Sequence, residues 1–155
     1  MALPLDKILD ERSIHMWCVH YRSILAHTDT FRSYLSVEEM QHSRSFKQPQ
    51  HRDRYVCGRG VLRQLLGHYL QESSQDVQIR YAKYNKPFTP SNIHFNVSHA
   101  GDMLIIVLNL NHPIGVDIEW VNPRINTDLI APDLFSHQEL KTYRTMPESL
   151  RLDHF

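Results

Sequence analysis

A run of apolar residues at helical spacing sets the first constraint on this chain. From Asp53 onward, Val56, Val61, Leu62, Leu65, Leu66, Tyr69 and Leu70 return at the period of one helix face, which predicts a long amphipathic helix with arginines on its other side. Downstream, residues 93–98, 103–109 and 114–120 each read as a short strand. The links between them, His99-Ala100-Gly101-Asp102 and Asn111-His112-Pro113, have hairpin lengths and turn residues. A long helix beside a meander predicts an α+β fold, an antiparallel sheet packed with that helix.

The rest of the chain fills in around these elements. Residues 16–21 read as an early strand, and Ser36 with Glu39 three positions on forms a capping box that opens a helix toward Phe46, broken near Pro49. Residues 79–84 alternate like a strand and run into a turn-rich connection through Asn85, Lys86, Pro87 and Pro90. Beyond Pro123 the pattern turns helical and polar, over 129–135 and 138–143. There is no short-period repeat and no low-complexity linker.

A length of 155 residues suits one compact domain and is short for two. With 41% hydrophobic and 22% charged residues, the composition is that of a folding chain, which excludes disorder. The formal net charge of zero gives no general attraction to nucleic acid or to an anionic membrane, so neither is expected as a partner. Locally the balance is uneven: Arg44, Lys47, Arg52, Arg54, Arg59 and Arg63 face only Asp53 between positions 40 and 70, while acids outnumber bases from Val116 onward. That polarity fits an anionic ligand opposite a metal-binding carboxylate pair, and it equally fits a solvated helix face.

Cys18 and Cys57 have neither disulfide-scaffold nor zinc spacing, and a reducing cytoplasm is expected. Residues 1–10 contain acids and no long apolar core, and the longest apolar run, 103–108, is too short to span a bilayer. Asn96-Val97-Ser98 matches a glycosylation pattern, which we read as accidental.

Two stretches carry potential chemistry. In Gly115-Val116-Asp117-Ile118-Glu119, a strand would point Asp117 and Glu119 the same way, and two close carboxylates repel unless a cation intervenes. Hard oxygen donors suit magnesium, although an exposed acidic strand face remains the alternative. In Phe95-Asn96-Val97-Ser98-His99, a hydroxyl and an imidazole emerge at a strand end, where they hold a phosphate or simply shape a turn. No dinucleotide fingerprint, Walker loop or zinc-protease motif is present, and Gly58-Arg59-Gly60 lies inside the helix pattern.

Taken in order, Asn85-Lys86-Pro87, Phe95 to His99 and Gly115 to Glu119 resemble the G-K-P, F-N-x-S-H and G-[IV]-D-[IV]-E segments of the 4′-phosphopantetheinyl transferase superfamily, in its monomeric two-lobed branch. An Arg-rich helix of the form R-x-x-x-x-R-x-x-L-R-x-L-L precedes them. The resemblance implies two similar α+β lobes with coenzyme A between them, residues 1–122 forming the first lobe and 123–155 an incomplete start of the second. It implies transfer of 4′-phosphopantetheine from coenzyme A to a serine of an acyl or peptidyl carrier protein, with magnesium.

Under that resemblance Asp117 and Glu119 are the metal ligands, and Lys86, Ser98 and His99 grip coenzyme A phosphates, joined by Arg54 and Arg59. His42 stands four residues before Phe46, where the family often has Lys or Arg, so one phosphate contact changes character. Phe135-Ser136-His137-Gln138-Glu139 resembles the F-[ST]-x-x-E segment that precedes the family's W-x-x-K-E-x-x-x-K, which this sequence lacks. The expectation is a C-terminally truncated chain whose catalytic base lies beyond Phe155, with impaired transfer and self-association through the incomplete lobe. Two alternatives stand beside it: a non-catalytic fragment that binds coenzyme A or a carrier protein, and an unrelated metal-dependent hydrolase using Asp117, Glu119 and His99.

Overall fold

The computed structural model describes residues 9–155, so most of the N-terminal stretch considered above, 1–10, lies outside the described residues. Contacts divide the chain into a unit ending at Ile118 and a second over Glu119–Phe155. The first begins with strand β1 (Ile14–His20), short helical turns α1 (Tyr21–Ile24) and α2 (Thr28–Arg32), and helices α3 (Val37–Arg44) and α4 (Pro49–Leu70). Then come β2 (Arg80–Tyr81), β3 (Pro87–Phe88), β4 (Ile93–Ala100) and β5 (Met103–Leu110).

The main sheet is antiparallel, in the order β1-β5-β4, so the most apolar strand sits in the middle. Two residues, Gly101 and Asp102, join β4 to β5. Gly101 has φ 54°, a left-handed value that a tight hairpin demands at its first turn position and glycine adopts without a Cβ clash. The expected α+β arrangement of a long helix on an antiparallel sheet is what the chain forms.

Helix α4 starts where the sequence breaks. Pro49 occupies its first turn, where a missing N–H costs nothing, and so closes α3 and opens α4 together. Val56, Val61, Leu62, Leu65 and Leu66 are all buried, as the spacing predicts, against Val19, Ile24, Phe31, Phe95, Leu104, Ile106 and Leu108. Gly60 lets α2 approach: a Cβ there would stand 2.4 Å from Phe31 Cβ. At α3 both halves of the capping box form, Ser36 accepting from Glu39 N–H and Glu39 accepting from Ser36 N–H.

Not every arginine of α4 faces outward as expected. Arg63 is only 3% exposed; its Nε donates to Glu39 at 2.6 Å, and its Nη1 donates to the carbonyls of Ser74 and Val77 at 3.1 and 3.0 Å. A buried cation is tolerable only when paired and fully hydrogen-bonded, and Arg63 gains both by tying α3 and the loop after α4 to one point.

Two strand expectations fail, each for a local reason. The strand over 79–84 shrinks to Arg80–Tyr81, paired with Pro87–Phe88, because Tyr84 and Asn85 both take left-handed φ values, 67° and 58°, that turn the chain back. Asn85 stands where the resembling family has glycine; asparagine is among the few other residues that visit this conformation readily. The strand over 114–120 is not a strand. Val116 and Ile118 give their N–H groups to the side chains of Asn96 and Ser98 on β4, at 3.3 and 3.2 Å, so the segment follows a face of β4 rather than pairing with its edge.

The second unit contains α5 (Thr127–Leu134), α6 (His137–Thr145) and α7 (Glu148–His154). It covers the two helical patterns seen in the sequence and adds a third helix. Tyr143 donates to Thr127 Oγ1 at 2.5 Å within a small buried centre with Ala131, and Arg151 grips Asp128 at 2.9 and 3.0 Å. Glu139 caps α6 by accepting from Ser136 N–H at 2.8 Å. Among the described residues, no helix is long and apolar enough to cross a membrane.

The close approach at Gly60 predicts that Gly60→Val lowers stability by about 1–3 kcal/mol through overpacking against Phe31. Gly115, with nothing within 4 Å of its virtual Cβ, should accept alanine with a shift no larger than about 0.5 kcal/mol. Urea denaturation of both variants checks the pair.

Candidate functional site

In the first unit, α4, the end of β4 and the β4–β5 turn enclose a cavity of about 570 Å³. Arg54, Gly58, Arg59 and Leu62 recur along one side of α4 and form its floor, because positions three and four apart share a helix face. Gly58 keeps the floor low: a Cβ there would lie 3.2 Å from the Tyr21 hydroxyl. Val97 and Leu104 supply apolar wall, and His51, His99 and Tyr55 supply polar or aromatic wall.

The charges around this cavity do not cancel. Asp102 is shared by two guanidinium groups, Arg22 at 2.8 Å and Arg54 by a short contact. Glu39 is likewise shared by Arg59 at 3.5 Å and Arg63 at 2.6 Å. Each carboxylate neutralises one arginine of its pair, so each group keeps one excess positive charge. Arg54 also donates to the Gly101 carbonyl at 2.9 Å and lies 5.4 Å from the Tyr21 ring centre, while its Nε is buried with no protein partner among the described residues. Arg59 stands 5.8 Å from each of the Tyr55 and Tyr81 ring centres and donates to the Tyr81 hydroxyl at 2.9 Å. Guanidinium groups fixed in this way lose little entropy on meeting an anion, which is what an anion site requires.

The other residues singled out from the sequence fall around the cavity. His99 lines it together with Arg54 and Arg59. Lys86 lines a second cavity of about 470 Å³, which shares Pro87 with the first, and donates to the Ile114 carbonyl at 3.3 Å. Ser98 donates to Asp117 Oδ1 at 2.8 Å and accepts from Ile118 N–H, so its hydroxyl is committed inside the protein. His42 is exposed and outside the cavity, but its ring packs on Phe46 and Tyr55, two of the lining residues, at 5.4 and 4.9 Å. Asp117 belongs to the first unit and Glu119 opens the second; both are exposed.

The three short motifs therefore meet through side chains. Lys86 holds Ile114, Asn96 holds Val116, and Ser98 holds Ile118 and Asp117. Among the described residues, no cluster of three or more His, Cys, Asp or Glu is poised for a metal. The donor chemistry of Asp117 nonetheless suits magnesium, which takes one or two protein carboxylates and fills its remaining positions with water and phosphate oxygens.

Sequence reasoning did not single out Tyr21, Tyr55, Glu39 or Asp102 for this site. Asp102 was legible only as a turn residue and Glu39 only as a cap, and their arginine partners lie 20 to 80 positions away. Tyr21 carried no local signal.

A mixed helix and antiparallel-sheet unit thus carries a cavity beside two arginine–carboxylate groups with excess positive charge. Comparison with known proteins narrows this: a family model described as "4'-phosphopantetheinyl transferase, N-terminal" matches residues 21–111. The chain belongs to that family. It is 29% identical to the 4'-phosphopantetheinyl transferase HetI of Nostoc sp. over 150 residues, covering 94% of this chain and 63% of the relative. It is also 29% identical to the 4'-phosphopantetheinyl transferase Sfp of Bacillus subtilis over 129 residues, covering 82% and 56%, and 37% identical to AcpT of Escherichia coli strain K12 over 87 residues, covering 55% and 41%. The chain thus spans between 41% and 63% of the length of these curated relatives.

Burial pushes the Tyr21 phenol up to about 12, against the pull of the Arg54 guanidinium. An acid whose folded pKa is raised contributes stability in full below its unfolded value, near 10, and loses it as pH climbs toward 12, because the unfolded chain releases the proton first. Relative to Tyr21→Phe, the native chain should lose about 1.4 kcal/mol between pH 9 and pH 11, measured as the difference in urea midpoints between the two proteins.

Proposed function

We propose that this chain carries the coenzyme A-binding part of a 4′-phosphopantetheinyl transfer reaction. The observation that supports this reading best is the pair of two-to-one arginine–carboxylate groups beside a cavity of about 570 Å³, since coenzyme A brings both phosphates and an aromatic base. Arg54, Arg59 and His99 are the groups we assign to its phosphates there, with Lys86, beside a neighbouring cavity, assigned to the phosphates of the same ligand. Tyr55 and Phe46 offer rings for the base.

In the reaction a carrier-protein serine hydroxyl attacks the β-phosphorus of coenzyme A. The new O–P bond forms as the bond to the bridging oxygen breaks, the serine proton is released, and adenosine 3′,5′-bisphosphate departs. Magnesium, when bound by Asp117 and Glu119, supplies charge neutralisation at the pyrophosphate. The protein's own residues position and neutralise: the arginines hold the phosphates, and Ser98 holds the Asp117 carboxylate in place through its hydroxyl. The free thiols, Cys18 exposed and Cys57 buried, support placing this chemistry in a reducing cytoplasm.

The test is incubation with coenzyme A, magnesium and an apo carrier protein, followed by mass spectrometry for the added phosphopantetheine. Transfer that falls at least a hundredfold in Asp117→Ala supports the reading, and undiminished transfer in that variant contradicts the metal assignment. Saturable coenzyme A binding without transfer would instead favour a binding role for this chain.

A further inference from the structure

The residues of 112–118 have no strand partner, and what fixes the segment is a set of side chains from two motifs upstream. Lys86 and Ser98 already carry proposed roles, Lys86 toward coenzyme A and Ser98 toward the Asp117 carboxylate. Asn96, between them, carries none, although it is the side chain that receives Val116 N–H, the amide next to Asp117. Along β4 side chains alternate, so Asn96 and Ser98 stand on one face while Phe95 and Val97 turn to the core. Two acceptors on one strand face, two residues apart, meet two N–H groups, Val116 and Ile118, that are also two residues apart. This matching spacing fixes the register of the segment, and with it the place of the carboxylate between those amides.

We propose that Asn96 is a positioning residue for Asp117. Its amide oxygen and the Ser98 hydroxyl form a two-point clasp on the 116–118 backbone, and the second point also donates to the Asp117 carboxylate. One point alone would let the segment pivot about Ser98; two points stop the pivot. The consequence for metal binding rests on the assignment of Asp117 made above, whereas the clasp itself does not. An outer residue that orients a ligating carboxylate governs metal affinity without touching the metal, and losing such a contact typically weakens binding tenfold to a hundredfold.

The experiment pairs amide hydrogen exchange by NMR with titration of magnesium into the coenzyme A-loaded chain. In Asn96→Leu, exchange at Val116 should accelerate at least tenfold while Leu104 and Val107 in β5 stay within twofold, and the apparent magnesium affinity should weaken about tenfold. Asn96→Asp, which keeps an acceptor oxygen at the same reach, should restore protection at Val116. Val116→Pro removes the donor from the other end of the same bond, leaves Asn96 in place, and should weaken magnesium to a similar degree. Protection at Val116 unchanged within twofold in Asn96→Leu overturns the clasp. Lost protection with unaltered magnesium affinity overturns the positioning role. If the native chain itself shows no magnesium saturation, the metal assignment of Asp117 fails, and the exchange result alone decides the clasp.

Discussion

Strand β4 is the constraint on which the rest depends, because its two faces have different tasks and a strand cannot trade one for the other. Ile93 and Phe95 are buried against α4, while Asn96 and Ser98 project from the opposite face and hold the segment that carries Asp117. A slip of one residue would exchange the faces, exposing phenylalanine and burying asparagine. The Gly101–Asp102 turn blocks that slip by setting the register of β4 on β5. The same Asp102 grips Arg54 and Arg22, so the turn that fixes the sheet also fixes a guanidinium at the cavity.

Glu39 performs the matching service on the helical side. One carboxylate caps α3, pairs with the buried Arg63 and reaches Arg59 at the cavity. A buried pair of this type adds little net stability over an apolar replacement, yet leaving Arg63 alone would strand a cation in the core at a cost of about 3–5 kcal/mol. Its role is therefore to specify a geometry. The excess charge left on Arg59, like that left on Arg54, is what this arrangement adds beside the cavity.

The sequence was most legible where a pattern is local. The apolar period of α4, the capping box at Ser36 and the β4–β5 hairpin all rest on residues within a few positions of one another, and each formed where expected. The strand expected over 114–120 did not form, because alternation describes which residues face which side and not whether a main-chain partner exists. Asn96 and Ser98 took the amides that a neighbouring strand would have used. The family motifs could be read one by one, but their convergence through Lys86, Asn96 and Ser98 could not, since it joins positions 19 to 28 residues apart. Arg54, Arg59 and His99 do share a cavity; His42 stands outside it on Phe46 and Tyr55, and Ser98 is turned to Asp117.

Coenzyme A, as proposed above, enters the cavity floored by α4. Titration of coenzyme A into isotope-labelled chain, followed by backbone amide shifts, tests it directly. Saturable changes are expected at Tyr21, Arg54, Gly58, Arg59, His99 and Gly101, weakening as salt is raised. Changes confined to the exposed face of β1, around Ile14 and Met16, or no saturable change at all, would contradict it.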